Sequence, residues 1–129
     1  MSLENGCEEC YANDASDAWD AFKNTEIITS LIDESHFSIR IRKCLACHQH
    51  YLSVFTETID WKDGEDPQLW SVVPTQSDEI AELSDKNEHD IVELVRNFYP
   101  MRKSLCLDWP KGTDKKIFWR HGIIIGLHD

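Results

Sequence analysis

Two cysteine pairs with the same spacing are the residues of this chain best suited to chemistry. Cys7 and Cys10 enclose two glutamates near the N-terminus, and Cys44 and Cys47 enclose Leu-Ala in the middle of the chain. A two-residue gap lets both thiolates of a pair reach one metal ion. Two such pairs supply the four thiolates that Zn²⁺ takes at the corners of a tetrahedron. The sequence therefore predicts a structural Zn²⁺ on these four cysteines.

Three alternatives to a four-cysteine site remain open at this point. His48 or His50, which stand beside the second pair, could replace one thiolate. Only one of the two pairs could bind metal, with the other cysteines being ordinary buried thiols. Cys44 and Cys47 could instead form a redox dithiol, although the βαβ context of thioredoxin-like motifs is missing.

Signatures of common enzymes are missing from the sequence. It contains no HExxH, GxSxG, P-loop or GxGxxG motif, and no HxE partner of a PCxxC deaminase site. A metal ion bound by four thiolates also has no free coordination position for water or substrate. We therefore expect a protein without catalytic activity.

The cysteine count and the N-terminal composition favour a reducing compartment. Five cysteines cannot all pair in intramolecular disulfides, and the first ten residues are acidic, unlike the basic and then apolar build of a secretory signal. No run approaches the roughly 20 apolar residues of a membrane helix. We expect a cytoplasmic protein with reduced thiols and no membrane contact.

The charge of the chain is large and unevenly distributed. The net charge is −11; residues 1–95 carry 21 acidic against 6 basic side chains, and residues 96–129 carry 3 against 7. An acidic surface attracts basic proteins and repels nucleic acid. The cluster Asp60, Asp63, Glu65 and Asp66 is the predicted partner-binding surface, although an ordinary solvated turn would have the same composition.

The basic C-terminal quarter carries the alternative prediction of nucleic-acid binding. Lysines and arginines there accompany Trp119, a combination that single-stranded nucleic acid uses for charge and stacking contacts. The competing interpretation is that these bases complement the acidic body of the protein.

The elements that must position the cysteines can be predicted from periodicity. Residues 36–43 alternate as a half-buried strand, Tyr51–Trp61 forms its partner, and the second cysteine pair closes this hairpin. Further strands are predicted at 69–73 and 116–125, whereas 26–33 remains undecided between helix and strand. At 41% hydrophobic content, the prediction is one α+β domain over residues 1–129, a small antiparallel sheet with helices packed on one face.

Two helical regions are predicted from caps and apolar spacing. Asn13 or Asp14 can cap a helix that ends near Phe22. Thr75 and Asp78 resemble a capping box that opens a helical region through residue 98, as one helix or as two.

The double CxxC with a hairpin knuckle resembles the zinc-ribbon and treble-clef class. The resemblance covers residues 7–61 and implies a structural zinc on the four cysteines. The segment VFTETIDWKDGEDPQLWSVVP is similar to small bacterial zinc-binding proteins. In size and charge the chain is also similar in kind to bacterial toxin immunity proteins, including those of contact-dependent growth inhibition. This likeness implies a basic toxin domain as the protein partner.

Overall fold

The computed structural model describes residues 7–59, 61–64, 66–98, 102–110, 114–123 and 125 of the 129-residue chain. In chain order the elements are α1 (Ala15–Phe22), β1 (Glu26–Glu34), β2 (Phe37–Lys43), β3 (His50–Glu57), β4 (Gln68–Pro74), α2 (Ser77–Ser84), α3 (Glu88–Phe98), β5 (Lys103–Trp109) and β6 (Lys116–His121). The protein belongs to the predicted α+β class. Within the described ranges, no helix combines the length and the apolar composition needed to cross a membrane.

The strands form one antiparallel sheet in the order of the sequence, from β1 to β6. The hairpin of β2 and β3 pairs in continuous register, from Phe37 with Thr56 to Lys43 with His50. Six residues, Cys44 to Gln49, therefore connect the two strands at one end of the sheet. This is the predicted position of the second cysteine pair.

The undecided segment 26–33 lies in β1, which is an edge strand. Its pairing with β2 shifts register between Ile27 and Thr29 and again between Ser30 and Ile32. Each shift moves the following side chains relative to the partner strand, so the alternation expected of a half-buried strand is broken. This explains why sequence periodicity could not assign the segment.

Residues 75–98 contain two helices, α2 and α3. The first begins one residue later than the predicted capping box, because the Glu79 carboxylate accepts a hydrogen bond from the Gln76 N–H at 2.9 Å. The second begins after Asn87, whose side-chain oxygen accepts from the Asp90 N–H at 2.9 Å. Both contacts satisfy backbone donors that a helix start leaves unpaired.

Two predicted strands are shorter than expected. The second strand of the knuckle hairpin ends at Glu57, and Trp61 lies outside it with 86% of its surface exposed. The last strand ends at His121, because Gly122 takes a φ of 84°. Positive φ is a turn conformation that glycine adopts without steric cost.

One face of the sheet packs against α2 and α3. Ile39 and Ile41 of β2 and Leu52 and Val54 of β3 point to this face and are buried. The helices contribute Leu83, Ile91 and Val95 to the same core, and the partly buried Ile80 and Leu94 pack against it, at intervals of three and four within each helix. The predicted apolar face of 75–98 is confirmed at these positions.

The opposite face of the sheet carries α1 and the cysteines. Trp19 and Phe22 of α1 lie in one buried cluster with Val72, Leu105 and Leu107. The expectation of helices on one face thus holds for α2 and α3, whereas α1 lies on the other. The reason is that Val73 of β4 belongs to the core under α2 and α3, whereas Val72 of β4 and Leu105 and Leu107 of β5 lie on the other face, so each face needs a covering element.

Candidate metal centre

The sulfurs of Cys7, Cys10, Cys44 and Cys47 come together at one point. The Sγ–Sγ distances are 3.7 Å for Cys7–Cys10, 4.0 Å for Cys7–Cys44 and 3.7 Å for Cys10–Cys47. All four sulfurs lie within 4.8 Å of one another. A tetrahedral ion with Zn–S bonds of about 2.3 Å requires sulfurs about 3.8 Å apart. The four cysteines are therefore positioned to hold one metal ion.

The second cysteine pair sits in a tight turn at the end of the β2–β3 hairpin. The Cys44 N–H donates to the Gln49 carbonyl at 2.9 Å, and the His48 N–H donates to the Cys44 carbonyl at 2.9 Å. His48 has a φ of 65°, the left-handed conformation that reverses the chain after the knuckle. These bonds continue the hairpin pairing into the turn that carries both sulfurs.

The first cysteine pair is held against the same sheet face by short contacts. The Cys7 N–H faces the Cys10 sulfur at 3.3 Å, and the Tyr11 N–H donates to the Cys7 carbonyl at 2.9 Å. The indole of Trp119, on β6, donates to the Ala12 carbonyl at 3.0 Å. The first pair therefore reaches the second because β6 and α1 anchor the chain that follows it.

Tyr51 supports the cluster from outside the set of sulfurs. Its hydroxyl donates to the Cys10 sulfur at 3.1 Å, and its ring is 4% exposed. Outer groups of this kind orient ligands and stabilise their negative charge. Sequence analysis missed this role. The available signal was a tyrosine in a buried strand, which needs a partner for its hydroxyl.

The protonation of the metal-free thiols follows from burial and hydrogen bonding. Burial raises the pKa of Cys10 and of Cys47 above the ordinary cysteine value. Burial also raises the pKa of Cys7, but backbone N–H groups of Cys10 and Glu9 outweigh it and the net pKa is lowered. Burial and the bond to Cys10 raise the pKa of Tyr51, so its hydroxyl remains a donor.

Among the described residues, the metal-ligand cluster contains the four cysteines and neither His48 nor His50. Both cysteine pairs take part, and their sulfurs are free thiols at distances well beyond a disulfide bond of about 2.05 Å. Cys106 lies elsewhere, fully buried in β5. Burial raises the pKa of this thiol, so it stays protonated and unreactive at neutral pH.

The predicted partner-binding residues belong to the segment between β3 and β4. Asp63 is exposed and Asp66 is partly buried, while Asp60 and Glu65 lie outside the described residues. The structure therefore places two of the four residues in one loop, at the end of the sheet opposite the turn that carries Cys44 and Cys47.

A second acidic surface lies beside the metal cluster. Glu8 and Glu9 of the first knuckle and Asp17 and Asp20 of α1 line one surface concavity. Lys23 pairs with Asp20 at 3.5 Å. Sequence analysis did not group these residues, because the knuckle and the helix come together only through their common packing on the sheet.

Two lysines of the basic C-terminal quarter lie against aromatic rings of the protein. The Lys103 ammonium lies 4.4 Å from the Trp119 ring centre and 5.1 Å from that of Tyr11. The Lys115 ammonium lies 5.6 Å from the ring centre of Trp109. Trp119 thus serves internal contacts.

Comparison of the chain with models of known protein families, with curated proteins and with solved structures finds no match. The assignment of the site rests on its own geometry: two CxxC knuckles that bring four thiols to tetrahedral spacing.

Proposed function

We propose that this protein is a non-catalytic, zinc-stabilised protein that binds a basic region of a protein partner through its acidic surface. The observation that carries the proposal is the near-tetrahedral spacing of four cysteine sulfurs, with all metal positions taken by protein ligands. A closed thiolate site supports a structural role, because no position remains for a reacting molecule.

Zinc is the metal we propose for this site. Four thiolates at tetrahedral spacing suit Zn²⁺ and iron. Zinc has no redox chemistry and is the usual ion of two CxxC knuckles in a small cytoplasmic domain. A cytoplasmic location agrees with free thiols, which a reducing compartment maintains.

The specific version of the partner hypothesis is neutralisation of a toxin. A nuclease toxin presents basic residues to nucleic acid, and an acidic protein can engage the same residues. The net charge of −11 supports fast, salt-dependent association with such a partner. The loop with Asp63 and Asp66 is the proposed contact.

Native mass spectrometry of the gently purified protein tests the metal. We expect one zinc per chain, lost with a chelator. Cys44→Ser should lose zinc and its cooperative thermal transition, because metal binding energy is folding energy in such domains. Cys106→Ala is the matched control, since it removes a buried thiol outside the cluster and should retain zinc. A fully stable, folded Cys44→Ser protein would refute the zinc assignment.

Binding of the partner that copurifies from the native host tests the acidic surface. Alanine at Asp60, Asp63, Glu65 and Asp66 should weaken its affinity at least about tenfold and flatten the salt dependence. Alanine at Asp78, Glu82, Asp85 and Asp90, in the helical region, changes the charge equally and should leave affinity within about threefold. Equal affinity of the loop variant and wild type would contradict the proposed contact.

A further inference from the structure

Two arginines of β2 lie on the sheet face that carries α1, next to the edge strand β1. Arg40 and Arg42 alternate on β2 with the core residues Ile39 and Ile41, so they point to the face that carries α1. The helix contacts this face over β5 and β6, and its last residue, Phe22, reaches the Arg42 guanidinium. Ser53, opposite Arg40, and Ser38, two residues before Arg40, are small buried side chains on the same face.

The hydrogen-bonding groups of these arginines are only partly used. Arg40 pairs with the exposed Asp33 at 3.2 Å, but its Nε is buried and has no hydrogen-bond partner among the described residues. The Arg42 Nε donates to the Ser53 hydroxyl at 3.1 Å. No described carboxylate lies within ion-pair distance of Arg42. The terminal guanidinium nitrogens of both arginines can donate to an anionic ligand, whereas the buried Arg40 Nε is out of its reach.

Aromatic rings stand next to the arginines on the same face. Phe55 and Trp70 are opposite each other on β3 and β4, with ring centres 4.6 Å apart, and both are partly exposed. The Arg42 guanidinium carbon lies 4.6 Å from the Phe22 ring centre and 6.0 Å from that of Trp70. The surface therefore offers positive charge at one side and stacking surface at the other.

We propose that this surface binds a small ligand that joins a phosphate group to a planar ring, of the mononucleotide class. The guanidinium forks of Arg40 and Arg42 match the oxygens of a phosphate. Phe55 and Trp70 provide the stacking surface for the ring. A single phosphate is favoured over a nucleic-acid strand, because a net charge of −11 repels a long polyanion.

This binding site does not depend on the partner proposed above. Isothermal titration of the zinc-loaded protein with adenosine monophosphate, inorganic phosphate and adenosine tests it directly. We expect saturable binding of the monophosphate, with weaker binding of either fragment. Arg40→Gln and Arg42→Lys should each weaken the monophosphate at least about tenfold. The lysine retains the charge but not the fork.

Two further variants make the test specific. Phe55→Leu should weaken the monophosphate while leaving phosphate binding unchanged. Arg96→Gln removes an exposed arginine of α3, paired with Glu93 at 3.7 Å, and should change nothing. Zinc content and circular dichroism establish that each variant is folded. If Arg42→Lys does not fold, the result for Arg40→Gln alone decides the test.

Three results would overturn the proposal. The first is no saturable binding of the monophosphate at millimolar concentration. The second is equal loss in Arg96→Gln and Arg40→Gln, which indicates a general charge effect. The third is tighter binding of a ten-residue thymidine oligonucleotide than of the monophosphate, which indicates a nucleic-acid strand as the ligand.

Discussion

Tyr51 shows how a single side chain outside the ligand set acts on the metal centre. Its hydroxyl lies 3.1 Å from the Cys10 sulfur, although 41 residues separate the two in sequence. Four thiolates give a zinc site a net charge of −2, and a donor in a buried environment reduces the cost of that charge. The aromatic ring itself contributes to the apolar cluster under α1.

Tyr51→Phe should separate these two contributions. The ring remains and the donor is lost, so we expect zinc affinity to fall about 10- to 100-fold, the usual effect of removing such a support. Competition with a chromophoric chelator measures the change. Ser84→Ala, which removes a hydroxyl bonded to the Ile80 carbonyl at 2.8 Å on the other side of the sheet, should leave zinc affinity unchanged. Equal zinc affinities of wild type and Tyr51→Phe would contradict the role.

At the scale of elements, α1 connects the first knuckle to the sheet. Asp14 caps this helix by accepting from the Ser16 N–H at 2.8 Å and the Asp17 N–H at 3.2 Å. The capped helix presents Trp19 and Phe22 to the cluster that contains Cys10. Stability of the helix start and placement of the first cysteine pair are thereby coupled.

Asp14→Ala should lower the free energy of unfolding by about 1 kcal/mol, because two backbone donors lose their acceptor. For a chain of this size the melting temperature should fall by about 3–5 °C. Asp20→Ala, on the same helix, removes an equal charge but only an exposed pair with Lys23. Its effect should stay within about 0.5 kcal/mol. Identical melting temperatures for the two variants would show that the cap contributes nothing.

At the scale of the whole molecule, the stabilities of the zinc-loaded and the metal-free protein should depend on pH in opposite directions. Zinc requires deprotonated thiolates, and the raised pKa values of Cys10 and Cys47 favour the protonated thiols when metal is absent. A raised pKa in the folded state contributes stability that is lost as pH rises beyond the unfolded value, about 8.5.

The zinc-loaded protein should therefore lose metal and stability as pH falls below neutrality, because protons compete for the sulfurs. The metal-free protein, where it folds, should instead lose stability as pH rises above about 8.5. Denaturant titrations of both forms across this range measure the two slopes. Slopes of the same sign in the two forms would contradict a thiolate metal centre.

Several features could be predicted from the sequence because their causes are local. The four ligands follow from residue type and CxxC spacing, and β2 follows from the alternation of Ile39 and Ile41 with Arg40 and Arg42. The Asp14 cap follows from the residue types at a helix start. Such patterns depend on neighbours a few residues away, and sequence analysis recognises them directly.

The remaining features depend on which distant segments pack together. The edge position of β1, the placement of α1 on its own face and the contact of Tyr51 with Cys10 are set by sheet pairing and by burial of both faces. The same holds for the surface around Arg40 and Arg42, which α1 covers only in part. The sequence by itself determined the chemistry of the ligands and the local elements. Only the tertiary structure decided what surrounds them, because burial and long-range pairing are properties of the whole chain.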